Sequence, residues 1–334
     1  MRARMFGPCA ALPRTGILLP RKSSMAPRLV YLDTTIWNIL STQAPEACGV
    51  RALSDKLNVR LTLGLNAFFE MLKSFYGKRP DALARGRRLF ACVGAYLQNG
   101  VSVLRTWEEL LVDEAARASG RLTYINLFSD EEWHRKVEQG ADLHSRGQLP
   151  RGLRELIQRR DSVSQTVRSS ATESITAQPQ MLEDLQGIGP QDIAAFLDSA
   201  SVGTTGQNLL QKYLAQVFEL LSQPMPLTGP QLAQTLLSFA SNRVAHAVVR
   251  SDIYQNWRAA RSKLSSTTES VLIAKCIPDD SYHVVNAAYC DVFVTEDRDG
   301  QAIAAQYVAP ELKVLVYRDR NEPFLEWLVT RLGV

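Results

Sequence analysis

The sequence predicts an α/β protein in which a parallel β-sheet is flanked by helices. Three observations support this prediction. Short apolar runs typical of buried strands occur near both ends of the chain. Helical patterns alternate with these runs up to about residue 119 and again after residue 270. About 150 residues between them carry helical patterns and almost no strand pattern. Such alternation is typical of parallel strands covered by helices.

The N-terminal part of the predicted sheet starts at Arg28–Leu32, a short apolar run that we interpret as a buried strand. Asp33-Thr34-Thr35 follows it with side chains suited to a helix N-cap, and the helical pattern continues to Leu40. Further along the chain we predict a strand Val59–Leu63, helices Leu65–Tyr76 and Pro80–Gln98, a strand Val101–Arg105, and a helix begun by a Thr106/Glu109 capping box.

The strand pattern resumes near the C-terminus, so the α/β domain is predicted to be discontinuous, with ranges 27–119 and 271–334. A mostly α-helical insertion, residues 120–270, separates the third and fourth strands, with a flexible loop near 161–180. Its predicted helices include Asn208–Leu221 and a long run from Gln231 towards Lys263. After the insertion we predict a helix Ser281–Tyr289, strands Asp291–Thr295 and Lys313–Tyr317, and a closing helix Phe324–Leu332.

Charge and composition fit an ordinary globular protein and exclude a membrane-spanning helix. No apolar run approaches the roughly 18 residues that a transmembrane helix needs. Residues 1–26 are expected to form a disordered basic leader, with Met25 as an alternative start. Without the six basic residues of the first 28, the chain carries 32 basic and 34 acidic residues. The five cysteines are widely spaced, which favours free thiols in a reducing, cytoplasmic setting.

Acidic residues follow the predicted strands at positions where a functional site would form. In a parallel α/β sheet, sites lie at the carboxyl ends of the strands. Asp33 ends the first strand, and Asp297 follows the strand that ends at Thr295. Asp280 begins the helix before that strand, and Glu70 lies in the helix after the second strand. We therefore expect the two ends of the chain to form one acidic site.

Four neighbouring carboxylates repel one another unless a cation neutralises them. Hard cations such as Mg²⁺ or Mn²⁺ prefer oxygen ligands, and no His or Cys cluster favours zinc. Each acid also has a simpler interpretation when taken alone. Asp33 and Asp280 are then helix caps, Glu70 a solvated helix residue, and Asp297 and Asp299 turn residues. His283 lies one turn beyond Asp280, where helix packing or capping is its simplest role.

Three segments resemble PIN-domain nucleases. The run VYLDTTIW, residues 30–37, resembles their first strand with its acid, and LTLGLNAFFEML, residues 61–72, resembles their second strand and acid-bearing helix. DDSYHVVNAAYCDVFVTEDRDG, residues 279–300, resembles their closing block. The resemblance covers roughly 28–115 and 270–320 and leaves out the insertion.

The resemblance implies a PIN-like sheet and Mg²⁺- or Mn²⁺-dependent hydrolysis of phosphodiester bonds, usually in RNA. Asp33, Glu70, Asp280 and Asp297 would be the catalytic, metal-binding acids, and Asp279 competes with Asp280 for its role. Asp299 would be an accessory ligand. Thr34 and Thr295 would support the ligands by hydrogen bonding. Water activated by the metal would be the attacking group.

Two functions from different classes follow from the sequence. The first is a metal-dependent nuclease, most simply a ribonuclease. The second is a catalytically inactive PIN-like scaffold that binds protein or nucleic acid through its insertion, which also leaves self-association open. A phosphatase ranks last because Thr34-Thr35 replaces the expected second acid after Asp33. A group of basic residues favours phosphate binding, although a solvated helix face is the simpler interpretation: Lys73, Lys78, Arg79, Arg85, Arg87 and Arg88.

Overall fold

The sheet contains five parallel strands in the order β3-β2-β1-β4-β5. The computed structural model describes residues 26–43, 47–73, 81–129, 131–147, 155, 179–262 and 282–333. The α/β class and the parallel sheet are thereby confirmed. The strands are Arg28–Leu32 (β1), Val59–Gly64 (β2), Ser102–Leu104 (β3), Val292–Thr295 (β4) and Lys313–Val316 (β5).

Helices cover both faces of this sheet, and they are numbered here in chain order over the described residues. Residues 282–286 form a further short helical segment. None of these helices is both long and apolar enough to cross a bilayer. The helices are Thr34–Leu40 (α1), Ala47–Leu57 (α2), Leu65–Lys73 (α3), Ala82–Gln98 (α4), Trp107–Ala118 (α5), Glu131–Ser145 (α6), Pro179–Gly187 (α7), Ile193–Val202 (α8), Thr204–Leu220 (α9), Gly229–Ser238 (α10), Arg243–Ser262 (α11), Gln301–Val308 (α12) and Phe324–Leu332 (α13).

The prediction of one long helix from Gln231 towards Lys263 is wrong, because the chain forms two helices, α10 and α11, in its place. The backbone of Phe239 is extended and ends α10. The Asn242 side chain donates to the carbonyl of Leu236 at 2.8 Å, and its own carbonyl accepts the N–H of His246. Asn242 thus donates to an otherwise unpaired carbonyl in the last turn of α10 and accepts an N–H group from the first turn of α11. Helices α2 and α12 were not predicted.

The alternation of side chains along β1 divides the interior into two apolar layers. Leu29 and Tyr31 point into one layer with α5, α7 to α12 and residues 284–288. Val30 and Leu32 point into the other layer with α1 to α4 and α13. Strands that are buried on both faces are continuous apolar runs, which explains why Arg28–Leu32 carries no polar alternation.

The segment between β3 and β4 supplies part of both layers. Helices α7 to α11 bury their apolar faces in the layer that contains Leu29 and Tyr31. Helix α6 packs on α4 instead, and Val137 and Ala141 join the layer that contains Val30. The described helices of this segment therefore share their core with the sheet, so that the body of the protein and the segment stabilise each other.

A buried carboxylate, Glu114 of α5, fixes the N-terminus of α11 to the body. It accepts the backbone N–H groups of Val244 and Ala245 at 2.8 Å each, and the Tyr289 hydroxyl at 2.5 Å. The Glu114 carboxylate thus provides acceptors for backbone N–H groups that a helix start leaves unpaired. Burial raises the pKa of Glu114 to about 7, although all three hydrogen bonds oppose the shift.

Candidate active site

The candidate site lies at the carboxyl ends of β1 and β4, the two central strands. Strand order runs outward from this pair in opposite directions, so the gap between β1 and β4 is the switch point at which α/β sheets bind ligands. Leu32 pairs with Val294, and the N–H of Asp33 donates to the carbonyl of Val294 at 3.2 Å. The residues that follow the two strands are therefore brought side by side.

Asp33 lies at the centre of this edge and is fully buried. It is the N-cap of α1: its Oδ1 accepts the N–H of Ile36 at 2.9 Å and the Thr35 hydroxyl at 2.6 Å. Its Oδ2 accepts the Thr295 hydroxyl at 2.6 Å. Burial raises the pKa of Asp33, and the Thr295 and Thr35 hydrogen bonds and the nearby His283 oppose that shift.

Glu70 of α3 is joined to Asp33 through the neighbouring residue, Thr34. The Thr34 hydroxyl donates to Glu70 Oε2 at 2.5 Å, and His283 Nε2 lies 2.6 Å from the same oxygen. The Glu70 side chain is 38% exposed, whereas that of His283 is 4% exposed. Glu70 therefore reaches the solvent-facing side of the cluster while its carboxylate is held in place from the protein side.

Tyr31 and His283 form a relay of hydrogen bonds behind Glu70. The Tyr31 hydroxyl lies 3.0 Å from His283 Nδ1, and burial raises the pKa of Tyr31 well above its usual value. One neutral tautomer of His283, with the proton on Nε2, accepts from Tyr31 and donates to Glu70. Gly64 leaves the space that this relay needs, because a Cβ there would lie 2.6 Å from the Tyr31 ring.

Asp297 follows β4 as predicted, but its carboxylate is engaged by its own loop. Oδ1 accepts the N–H groups of Asp299 and Gly300, at 3.2 and 2.9 Å, and Oδ2 accepts that of Gln301 at 3.0 Å. Asp297 thereby holds the loop that begins α12. Its own N–H donates to Thr295, whose hydroxyl also reaches Asp33, so the loop is attached to the site through Thr295.

The described residues contain part of the predicted set of acids. Thr34, next to Asp33 in the chain, bonds Glu70, and Asp297 is linked to Asp33 through Thr295. Asp299 is exposed. Asp280 and Asp279 lie outside the described residues. Among the described residues, no group of three or more His, Cys, Asp or Glu side chains is arranged to hold a metal.

Carboxylate oxygen, the donor type at this edge, is the type that hard divalent cations prefer. Asp33 and Glu70 present carboxylate oxygens, and within the described chain Asp33 has no ion-pair partner among the lysines and arginines. A buried carboxylate in that position is stabilised in its ionised form by a positive charge. Oxygen ligands of this kind suit Mg²⁺ or Mn²⁺.

Sequence reasoning missed the part played by His283 and by Thr35. His283 was expected to pack or cap a helix; the structure places its ring against Glu70. Its spacing from Asp280 gave one hint, but the contact depends on how residues 282–286 pack beside α3. Thr35 was treated only as part of a helix N-cap, yet its hydroxyl bonds Asp33 and accepts the N–H of Glu296 at 3.3 Å.

Comparisons with known proteins add no relative to this description. The chain matches no protein-family model, and neither the curated proteins nor the solved structures returned a match. The geometry of the site and the sequence patterns are therefore the grounds on which a function is proposed.

Proposed function

We propose that this protein is a metal-dependent nuclease that hydrolyses phosphodiester bonds, most simply a ribonuclease that uses Mg²⁺ or Mn²⁺. One observation carries the proposal: Thr34 links the acid after β1 to the acid of α3. Its hydroxyl lies 2.5 Å from Glu70 Oε2, and it is adjacent in the chain to Asp33. This hydrogen bond supports a site at the switch point of the parallel sheet to which two acids from separate segments contribute.

The residues of the cluster have distinct roles in this proposal. Asp33 and Glu70 would hold the metal together with Asp280. A divalent cation supplies charge that polarises a phosphodiester and activates water. Thr35 and Thr295 orient Asp33, while His283 and Thr34 orient Glu70. Asp297 and Asp299 shape the loop next to Asp33, so we assign Asp297 a positioning role.

A cleavage assay tests the proposal. The purified full chain is incubated with a fluorescently labelled single-stranded RNA in Mn²⁺ or in EDTA, alongside Asp33→Asn and Glu70→Gln. Each variant should lose at least about 100-fold in cleavage rate, because each removes a charge that holds the cation. Asp142→Asn, an exposed residue of α6, makes the same chemical change away from the site and should cleave normally.

Equal cleavage by the wild type, Asp33→Asn and Glu70→Gln would contradict the proposal. So would cleavage that persists undiminished in EDTA. Far-ultraviolet circular dichroism of each variant shows that a loss of activity is not a loss of fold.

An inactive scaffold is the second candidate, and the state of Asp297 favours it. Its carboxylate accepts three backbone N–H groups of its own loop, so closing that loop accounts for this acid without a metal. Such a scaffold would bind its partner through the helices between β3 and β4. Metal separates the two candidates, since a ligand that binds only the folded state raises the melting temperature. A scaffold without a metal site shows no such increase with Mn²⁺.

A further inference from the structure

A depression of about 280 Å³ opens beside the candidate site, along α1. Three arginines from two separate parts of the chain lie on its walls, together with one acid. We call it the arginine groove, and it is lined by Thr35, Asn38, Ile39, Thr42, Arg85, Arg88, Glu296 and Arg320.

The groove has an excess of positive charge. Arg320 is paired with Glu296 at 2.8 Å, so this acid is largely neutralised by one of the arginines. Arg85 and Arg88 lie one turn apart on α4, and within the described residues neither forms an ion pair. Two guanidinium groups that face the same space and lack an acid are suited to an anion, and guanidinium matches the geometry of phosphate.

The groove and the acidic cluster lie on the two sides of one short stretch, Thr34-Thr35. Thr34 bonds Glu70, whereas Thr35 lines the groove and donates its hydroxyl to Asp33 at 2.6 Å. A linear ligand that lies in the groove would therefore reach the acidic cluster by passing Thr34-Thr35. Arginines that stand beside a reaction centre, instead of within it, hold the part of the ligand that does not react.

Asn38 adds a second feature that points to a ligand. Its Nδ2 donates to the carbonyl of Thr34 at 3.0 Å, while its Oδ1 is buried and has no hydrogen-bond donor within the described residues. A buried acceptor without a donor is uncommon, because such a group loses its hydrogen bonds to water without a replacement. A hydroxyl or N–H of a bound sugar or base would supply the missing donor.

We infer that the arginine groove binds the phosphodiester backbone of a single-stranded nucleic acid, one stretch of which then reaches Asp33 and Glu70. The inference rests on the proposed nuclease function and assigns its substrate path. Pockets for small ligands measure about 300–1,000 Å³, so this groove accepts about one nucleotide unit and not the width of a duplex. Arg85 and Arg88 contact phosphate, and Ile39 gives a buried apolar floor.

Binding can be tested apart from cleavage. Fluorescence anisotropy is measured in EDTA with a labelled ten-nucleotide RNA and with DNA of the same sequence, using the full chain. The test variant is Arg85→Ala/Arg88→Ala. The control, Arg87→Ala/Arg121→Ala, removes the same charge; Arg87 lies on the same helix outside the groove, and Arg121 is exposed after α5.

The test variant should bind at least tenfold more weakly than the control. Its affinity should also depend less steeply on salt. In a plot of the logarithm of the association constant against that of the salt concentration, the slope should be smaller by about 1.4, since two phosphate contacts are lost. Weaker binding of both the RNA and the DNA supports recognition of the phosphodiester backbone that they share. A larger loss of affinity for the RNA indicates a further contact with the ribose hydroxyl. Equal affinities of the test and control variants overturn the inference, as does a wild type that binds neither strand.

These outcomes are distinguishable from those of the nuclease proposal. A wild type that binds through Arg85 and Arg88 but cleaves nothing in Mn²⁺ preserves the groove and rejects the nuclease. A wild type that cleaves, while the test variant binds and cleaves as the control does, rejects the groove alone. Melting temperatures of both double variants show that neither result comes from unfolding.

Discussion

Asp33 and Glu114 are both fully buried carboxylates, yet we propose different roles for the regions in which they lie. Each accepts three hydrogen bonds, and burial raises the pKa of each. Asp33 lies at the edge of the sheet, where two chain segments meet. Glu114 lies between α5 and the start of α11, 130 residues further along the chain. Burial and the number of hydrogen bonds therefore do not distinguish a candidate functional site from a contact that only holds the fold together.

Their surroundings do separate them. Asp33 is next to Thr34, which bonds a second carboxylate, and next to Thr35, which lines an open groove. Glu114 has the cation Arg117 nearby, and its donors are fixed parts of the fold. A buried acid beside another acid and an opening is a candidate for metal and substrate, whereas one surrounded by helix N–H groups holds elements together.

The largest effect on stability is expected for Glu114→Ala. The change leaves two backbone N–H groups and the Tyr289 hydroxyl without their acceptor, so the free energy of unfolding should fall by about 4 kcal/mol. Urea denaturation measures this fall. Glu183→Ala, an exposed position on α7, should change stability by less than about 0.5 kcal/mol. A Glu114→Ala protein as stable as the wild type would show that the joint is not needed.

A pH titration of stability should isolate Glu114 from the rest of the protein. Its pKa is about 7 in the folded state and near 4.5 otherwise, so the folded state binds the proton more tightly. This contribution is fully present below pH 4.5 and is lost as the pH rises through 7, by up to about 3 kcal/mol. Glu114→Gln should lack the decline. Identical pH profiles of stability for the wild type and Glu114→Gln would contradict this assignment to Glu114.

His144 should give the opposite slope over a lower range. The centroid of its buried ring lies 4.5 Å from that of the Phe90 ring. Burial lowers the pKa of His144 from 6.5 to about 4. The folded state resists protonation, so stability falls by up to about 3 kcal/mol as the pH drops from 6.5 to 4. His144→Leu should remove this loss and expose the Glu114 slope between pH 4.5 and 6.5. A His144→Leu protein that still loses stability in acid as the wild type does would reject this assignment.

Tyr31→Phe should have the smallest effect and acts on the site alone. It removes the hydroxyl that bonds His283 Nδ1 at 3.0 Å and so loosens the support of Glu70. We expect a loss of about 1 kcal/mol in stability and a decrease of about threefold to tenfold in cleavage rate. Tyr254→Phe, in the helical segment, is the matched control and should leave the cleavage rate unchanged. Equal rates for the two variants would show that His283 needs no second support.

The sheet could be predicted because its strands are local apolar runs with clear ends. All five predicted strands are present, and the predicted capping box of Thr106 and Glu109 is formed. Helix α2 was missed because its buried residues, Val50 and Leu53, are few and separated by two exposed residues, Arg51 and Ala52. The break near Asn242 was missed because it depends on a side-chain hydrogen bond and not on glycine or proline.

The acids show where sequence reasoning ends. The position of Asp33 follows from the end of an apolar run, whereas the contact of Glu70 with Thr34 and His283 requires the packing of three segments. For Asp297, turn chemistry in the string EDRDG was the simpler alternative, and that is what its hydrogen bonds show. The pair of Glu114 with the start of α11 joins residues 130 apart and left no local pattern.

The difference between the two buried acids is tested most directly by Mn²⁺ binding. Electron paramagnetic resonance of Mn²⁺ titrated into the full chain counts the bound ions in the wild type, Asp33→Asn and Glu114→Gln. We predict that the wild type and Glu114→Gln bind Mn²⁺ with the same stoichiometry and that folded Asp33→Asn binds at least about 100-fold more weakly. Undiminished binding by Asp33→Asn, or a wild type that binds no Mn²⁺, would contradict the assignment of Asp33 to a metal site.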